Sequence, residues 1–214
     1  VGGVPLVARV GTVVRDLPEI DRTIVSTDSS EIAKVAESAG IAAPFMRPAD
    51  LSGDRIGDWD VLKHALLEAE RIDGFRYDVI LMLQPTCPLR LPRHVRDSFT
   101  KLIDEGWDSV WTVSETDSKG HPLKQLLISE NGSLTFYDDV GRAIIARQQL
   151  KPVYHRNGAA YAFTRECLLE QESTYGKKPG VVVIADRLAN IDTLEDLELA
   201  NFVLEQSLKA TRSP

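Results

Sequence analysis

Apolar and polar positions along the chain switch repeatedly between a period of two and a period near 3.6. Thr23-Ile24-Val25-Ser26 is β-branched and reads as a strand; it halts at Asp28-Ser29-Ser30, after which Ile32, Val35, Ala36 and Ala39 recur at helical spacing until Gly40. A second helix is expected from near Asp58 through Trp59, Leu62, Ala65, Leu66 and Ala69. It leads into Tyr77–Leu83, whose continuous run Val79-Ile80-Leu81-Met82-Leu83 suits a strand buried on both faces. Pro85 and Pro88 then forbid regular structure across Gln84–Arg90, so a loop is expected there. Pro92 opens a helix carrying Val95, Phe99, Leu102 and Ile103, and Ser109–Val113 reads as the next strand. Strands separated by helices imply βαβ units, hence an α/β fold with a mainly parallel sheet covered on both faces in three layers.

The alternation breaks between Ser114 and Pro152. Gln125–Ser129 and Leu134–Tyr137 flank Glu130-Asn131-Gly132, a hairpin signal, so a small antiparallel insertion is expected over residues 114–152. The α/β pattern resumes with a strand at Ala159–Thr164, a short helix near Glu166, a strand at Val181–Ala185 and a last helix carrying Leu197, Ala200, Leu204 and Leu208. Residues 1–113 and 153–214 are therefore read as one domain interrupted by the insertion.

Composition narrows the function classes. Apolar residues make up 43% and charged residues 27% of the 214, as in ordinary globular proteins, and no apolar run reaches the ~18 to 20 residues of a membrane span. Lys and Arg total 25 against 32 Asp and Glu, a net charge of −7 that disfavours nucleic acid as a partner. The two cysteines, Cys87 and Cys167, form no C-x-x-C pair, which argues for a reduced, cytoplasmic setting. The opening VGGVPLVARVGTVV begins with Val1 and lacks the cleavage region of a signal peptide, so the chain is read as starting late.

In open α/β sheets, ligands bind beyond the carboxyl ends of the strands, and three segments come after apolar runs in that way. Leu83–Arg90 offers an amide, a hydroxyl and a guanidinium, or else is a Pro-stiffened connection. Arg147-Gln148-Gln149 with Tyr154–Gly158 and Tyr161 carries two Arg residues suited to an anionic ligand, or is a solvated loop with Asn157-Gly158 as its turn. Asn190-Ile191-Asp192-Thr193 puts an amide and a carboxylate on one side, a pair able to hold Mg²⁺, while Thr193 and Asp196 form a capping box. The four histidines show neither H-E-x-x-H spacing nor a defensible triad order. Trp59, Trp107 and Trp111 are read as core or subunit-contact residues.

Ile24–Ala39, Arg47-Pro48, LQPTCPLR at Leu83–Arg90, Arg147-Gln148, Asn157-Gly158 with Tyr161, and Ile191-Asp192-Thr193 with Asp196-Leu197 occur in this order in the acylneuraminate cytidylyltransferases, which the chain resembles over nearly its whole length. The resemblance implies a Rossmann-like fold and transfer of CMP from CTP, with Mg²⁺, to a nine-carbon 2-keto sugar acid, releasing pyrophosphate. It further implies that Gln84, Lys124, Arg147, Asn157 and Tyr161 surround the sugar acid. Arg47, Pro85, Thr86 and Asp58, which stands where the family has a serine, would lie beside the nucleotide. Asp192 would hold the metal and assist deprotonation, with Asn190 replacing the first of the family's paired aspartates. Gly2–Leu6 matches only the stretch just after the family's Gly-rich phosphate loop.

The same resemblance implies a homodimer in which the insertion, with Leu126, Leu127, Ile128, Phe136 and Tyr137, crosses to the other subunit. Two other readings compete: a catalytically inactive relative that acts as a binding protein, and a sugar-1-phosphate nucleotidyltransferase on the same fold.

Overall fold

The structure is a computed structural model that describes residues 1–212; the side chains of Leu208 and of residues 210–212 fall outside the described set. Its centre is a four-stranded sheet in the order β1 (Val79–Met82), β5 (Tyr154–Thr164), β2 (Ser109–Glu115), β6 (Pro179–Val183). Strands β2 and β6 pair in parallel, and β1 and β2 both pair antiparallel with β5, so β1, β2 and β6 point one way and β5 runs against them. The reversed strand has a physical cause. β5 is reached from β2 through the insertion with no intervening α-helix, and an antiparallel neighbour needs no helical crossover.

The layers reflect the period of two in β1. Ile80 and Met82 face Leu66, Trp59 and Leu62 of α3 (Asp58–Asp73) and Leu168 and Leu169 of α5 (Arg165–Leu169), together with Tyr161 and Phe163. Leu81 and Leu83 face Val95 and Phe99 of α4 (Pro92–Glu105), joined by Val13 of α1 (Leu6–Val14), Leu17 and Ala160. Helix α1 is packed closely on α2 (Ser30–Ser38): a Cβ on Gly11 would lie 2.4 Å from the Ala39 carbonyl oxygen, so only glycine admits this approach. The last helix, α6 (Leu194–Arg212), buries Ala200 and Val203.

The expected hairpin forms as β3 (Leu126–Ile128) and β4 (Leu134–Phe136), a separate two-stranded sheet. The insertion lies bare: Ile128 and Leu134 of the hairpin are 76% and 63% exposed, and Tyr137 and Ile145 after it 64% and 93%.

Two expectations need correction. Thr23–Ser26 is not a strand of the sheet among the described residues; Ile24 makes one parallel bridge to Ala42, a single rung rather than a ladder. Tyr154–Gly158 is not a loop ending in a turn but the first half of β5, and the ladder with β2 slips where Trp111 pairs Tyr161 and Val113 pairs Arg156. A glycine inside a strand pattern is a bulge signal, and here it marks one.

Between Thr23–Ser26 and β1 runs a cleft of about 780 Å³, walled by Val7, Val10 and Val14 of α1 and by Val61 and Leu62 of α3. The edge of β1 facing away from β5 has no backbone partner among the described residues.

Candidate active site

The β1–β5 ladder ends at the pair Met82–Tyr161, and beyond it the two chains part. Leu83–Arg90 leaves on one side, and the bulge Asn157–Ala160 on the other.

Thr112 holds the bulge. Fully buried, it stands in the register slip of β2; its hydroxyl lies 2.7 Å from Asn157 Oδ1 and 2.8 Å from the Ala160 carbonyl, and it accepts from the Ala160 amide at 3.0 Å. Asn157 is itself buried, its Oδ1 accepting also from the Ala159 amide at 3.1 Å and its Nδ2 donating to Ser114 Oγ at 3.1 Å. Tyr161 turns its hydroxyl back to accept from the Gly158 amide at 2.9 Å, and burial pushes the phenol above its ordinary pKa. Asn157 and Tyr161 thus shape the bulge that carries Gly158.

Gly158 sits at φ +70°, the left-handed region that glycine adopts without strain. A Cβ added there would meet Gln84 Oε1 at 2.7 Å, Asn190 Oδ1 at 3.4 Å and the Cys87 Cβ at 3.5 Å. Three distant stretches of sequence therefore meet here, that of Gly158, that of Gln84 and Cys87, and that of Asn190. The third is anchored by the Ile191 amide, which donates to the Thr86 carbonyl at 2.9 Å. Its capping box also forms: Thr193 and Asp196 exchange side-chain to backbone hydrogen bonds of 2.9 and 3.2 Å at the start of α6. The Asp192 amide adds a bond of 3.1 Å to Asp196, and these donors hold the Asp196 carboxyl below its ordinary range.

Asn190 Nδ2 points at Asp192 Oδ2 across 3.4 Å. Among the described residues no three His, Cys, Asp or Glu side chains cluster as a metal cage. The donor set is one exposed carboxylate with an amide beside it, which suits a hard cation that keeps most of its ligands as water or phosphate oxygen.

Gln84 and Pro85 also line the large cleft, together with Arg47 and Asp58. Arg47 donates through Nε to Ser52 Oγ at 3.2 Å and lies 3.6 Å from Asp28, while Asp58 opens α3 with no capping bond from Gly57.

Lys124 and Arg147 are not part of this convergence. Both are exposed on short 3-10 turns of the insertion, and Arg147 lines a separate pocket of about 200 Å³ with Glu115, Asp117 and His121.

Three buried residues around the site have roles that the sequence does not disclose. Thr112 hides in an apolar run where a β-branched residue is unremarkable. Arg90 and His94 are buried ionisable residues: His94 accepts the Leu91 amide at the start of α4 and reaches Asp186 at 2.8 Å. The Gly after Asn157 was the one available signal for the bulge.

A comparison with known families decides the class. The cytidylyltransferase family model matches residues 1–210. The chain belongs to the cytidylyltransferase family. Among curated proteins it is 29% identical over 221 residues to CMP-N,N'-diacetyllegionaminic acid synthase of Legionella pneumophila, covering 97% of this chain and 88% of that one. It is 28% identical over 186 residues to pseudaminic acid cytidylyltransferase of Campylobacter jejuni, covering 86% and 78%. Among solved structures, CMP:2-keto-3-deoxy-manno-octonic acid synthetase complexed with CTP superposes with a TM-score of 0.65 at 16% identity, over 95% of this chain and 88% of that one, a likeness of fold. In this cytidylyltransferase, Gln84, Gly158 and Asn190 meet past the carboxyl end of β1, the position at which open α/β sheets bind ligands. No helix among the described residues is long and apolar enough to cross a membrane.

Proposed function

We propose that this cytidylyltransferase activates a nonulosonic acid, a nine-carbon 2-keto sugar acid, with CTP. The observation that carries the reading is the convergence of Gln84, Gly158 and the Asn190–Asp192 pair beside a cleft that also holds Arg47 and Asp58. The names of the relatives, which are CMP-nonulosonic acid synthases, support the same substrate class.

In this reading the anomeric hydroxyl oxygen of the sugar acid forms a bond to the α-phosphorus of CTP, and the bond from that phosphorus to the bridging oxygen breaks, releasing pyrophosphate. The hydroxyl proton is taken up by Asp192 and passed to water. In-line positioning and charge neutralisation supply most of the rate. Asp192, with the Asn190 amide, would hold Mg²⁺, which when bound neutralises phosphate charge. Gln84 orients the sugar acid over the close approach that Gly158 permits, while Arg47 and Asp58 line the nucleotide end. Arg147 and Lys124, on the insertion, supply charge to the substrate carboxylate.

Because Arg147 and Lys124 stand apart from Gln84 and Gly158 within one chain, the reading includes a homodimer whose insertions reach across and complete each other's sites. The bare apolar surface of β3 and β4 supports it, since such a surface calls for a partner. A cytoplasmic setting belongs to the same reading, because that is where CTP is supplied.

The test is a panel of sialic, legionaminic and pseudaminic acids, each with CTP and Mg²⁺, read by pyrophosphate release. Turnover with one of these acids is expected. No release from any of them, with CTP still bound, overturns the reading in favour of an inactive relative, and release with a sugar 1-phosphate instead favours the other nucleotidyltransferase class.

A further inference from the structure

Arg90 is one of the few ionised groups taken almost fully out of water, being 4% exposed, and no carboxylate forms an ion pair with it among the described residues. Burial pulls its guanidinium down to about 10. A buried charge without a counter-ion is costly, and a neutral or apolar side chain would fill the same volume with less penalty. The arrangement around it indicates what the charge accomplishes. Nε donates to the Cys87 carbonyl at 3.1 Å, and Nη2 donates to the carbonyls of Gln84 and, at 3.2 Å, of Gly158. Two of these acceptors lie on the segment leaving β1, and the third lies on the bulge of β5.

The ladder between those strands ends at Met82–Tyr161, so past that point backbone pairing no longer holds them at a fixed spacing. The guanidinium spans the opening. It is planar and carries several donors in a rigid fork, so it fixes both the distance and the angle between its acceptors, which an ammonium does not. Two of the residues it bridges also approach each other closely: the position of a Cβ on Gly158 lies 2.7 Å from Gln84 Oε1.

We propose that Arg90 is a positioning residue for nucleotidyl transfer, a buried clamp across the fork of β1 and β5 that sets Gln84 against Gly158 and so gives the substrate end of the site its shape. The proposal rests on the reading of the site as a transferase centre. Arg90 touches neither reactant; it acts through the carbonyls of Gln84, Cys87 and Gly158. Its remaining nitrogen, Nη1, is buried without a partner, which is what a group chosen for span rather than for full satisfaction leaves behind.

The experiment compares wild type with Arg90→Lys and Arg90→Ala. Lysine keeps the charge and can serve one side of the fork but not both. Arg90→Lys is expected to unfold cooperatively near the wild-type temperature, yet to lose about ten- to a hundredfold in turnover, the loss of roughly one charge-assisted bond. Amide hydrogen exchange should quicken at Gln84, Thr86 and Cys87 and at residues 157–160, and nowhere else. Millimolar guanidinium ion should restore turnover to Arg90→Ala saturably, with only the small rise in melting temperature that binding to the folded state requires. Wild-type turnover in Arg90→Lys overturns the proposal. So does a loss that merely tracks the unfolded fraction, or guanidinium that raises stability and leaves turnover low. If wild type itself releases no pyrophosphate with any acid in the panel, the transferase reading falls and the reaction role falls with it; unchanged exchange at the fork in Arg90→Lys is the separate result that removes the clamp.

Discussion

Gly158 stands so close to Gln84 that a methyl group on the first would lie 2.7 Å from the amide oxygen of the second. With φ at +70°, the backbone also resists any side chain there. Gly158→Ala should therefore lower stability by about 1 to 2 kcal/mol from the left-handed conformation alone. It should lower turnover further, because the Gln84 amide has to swing away. Denaturant unfolding and steady-state kinetics on the same variant separate the two losses, and kinetics unchanged from wild type would show that the Gln84 position does not matter to the reaction.

Thr112→Val keeps the shape of the side chain and removes the hydroxyl that Asn157 and Ala160 both use. Stranding buried polar groups costs roughly 1 to 3 kcal/mol each, so Thr112→Val should unfold at clearly lower denaturant, while Thr112→Ser, which retains the hydroxyl, should stay near wild type. A Thr112→Val variant as stable as wild type would show that the hydroxyl bonds do not hold the bulge.

The Glu70 carboxylate is held below its ordinary range chiefly by the hydrogen bonds from Arg165, against the opposing pull of burial, with the Tyr77 amide adding a further donor. A depressed carboxyl stabilises the fold above its unfolded value of ~4.3 and loses that contribution as pH falls through the lower folded value. Stability should thus decline as pH drops below about 4.3, and Glu70→Gln should flatten part of that slope while leaving the curve near neutral pH simply lower. Urea midpoints measured from about pH 3 to about pH 7, a range that spans this carboxyl titration, give the answer directly.

How much of this was legible beforehand varies residue by residue. The apolar run Val79–Leu83, the proline-stiffened loop after it, and the hairpin around Asn131-Gly132 each announce themselves locally, because period, proline and turn chemistry act over a few residues. Thr23–Ser26 carries the same β-branched signal as a true strand, yet strand status needs a neighbour, and a neighbour is a long-range fact. Thr112 and Asn157 meet across 45 positions of chain, most of them in the insertion, so neither residue type betrays the other. The capping box of Thr193 and Asp196 was readable since both members lie within one turn.

Asp192 supplies the only carboxylate of the Asn190–Asp192 pair. Asp192→Asn should abolish Mg²⁺-dependent pyrophosphate release while melting as wild type does, because the Thr193–Asp196 cap is untouched. Asn190→Asp should bind Mg²⁺ more tightly in calorimetry and, without the cation, melt earlier from repulsion between neighbouring carboxylates. An active Asp192→Asn variant would move the metal elsewhere.

Arg147→Ala should weaken binding of the sugar acid about ten- to a hundredfold, as expected for one charge-assisted hydrogen bond of ~1.5 to 3 kcal/mol, and leave CTP affinity nearly unchanged. If the proposed homodimer forms through the insertion, Ile128→Glu, on the bare face of β3, should shift sedimentation from dimer to monomer and lower turnover in parallel, since Arg147 then reaches no neighbouring site. A fully active monomer would separate the insertion from catalysis.

The edge of β1 facing away from β5 has no backbone partner among the described residues, and Val79–Met82 carries neither lysine nor proline. With α1 and α3 as walls of the cleft before it, one extended strand is narrow enough to lie along that edge, whereas a whole sheet is not. The cleft thus works as a width filter: Val7, Val10 and Val14 on one side and Val61 and Leu62 on the other leave room for a single added segment and keep edge-to-edge association out.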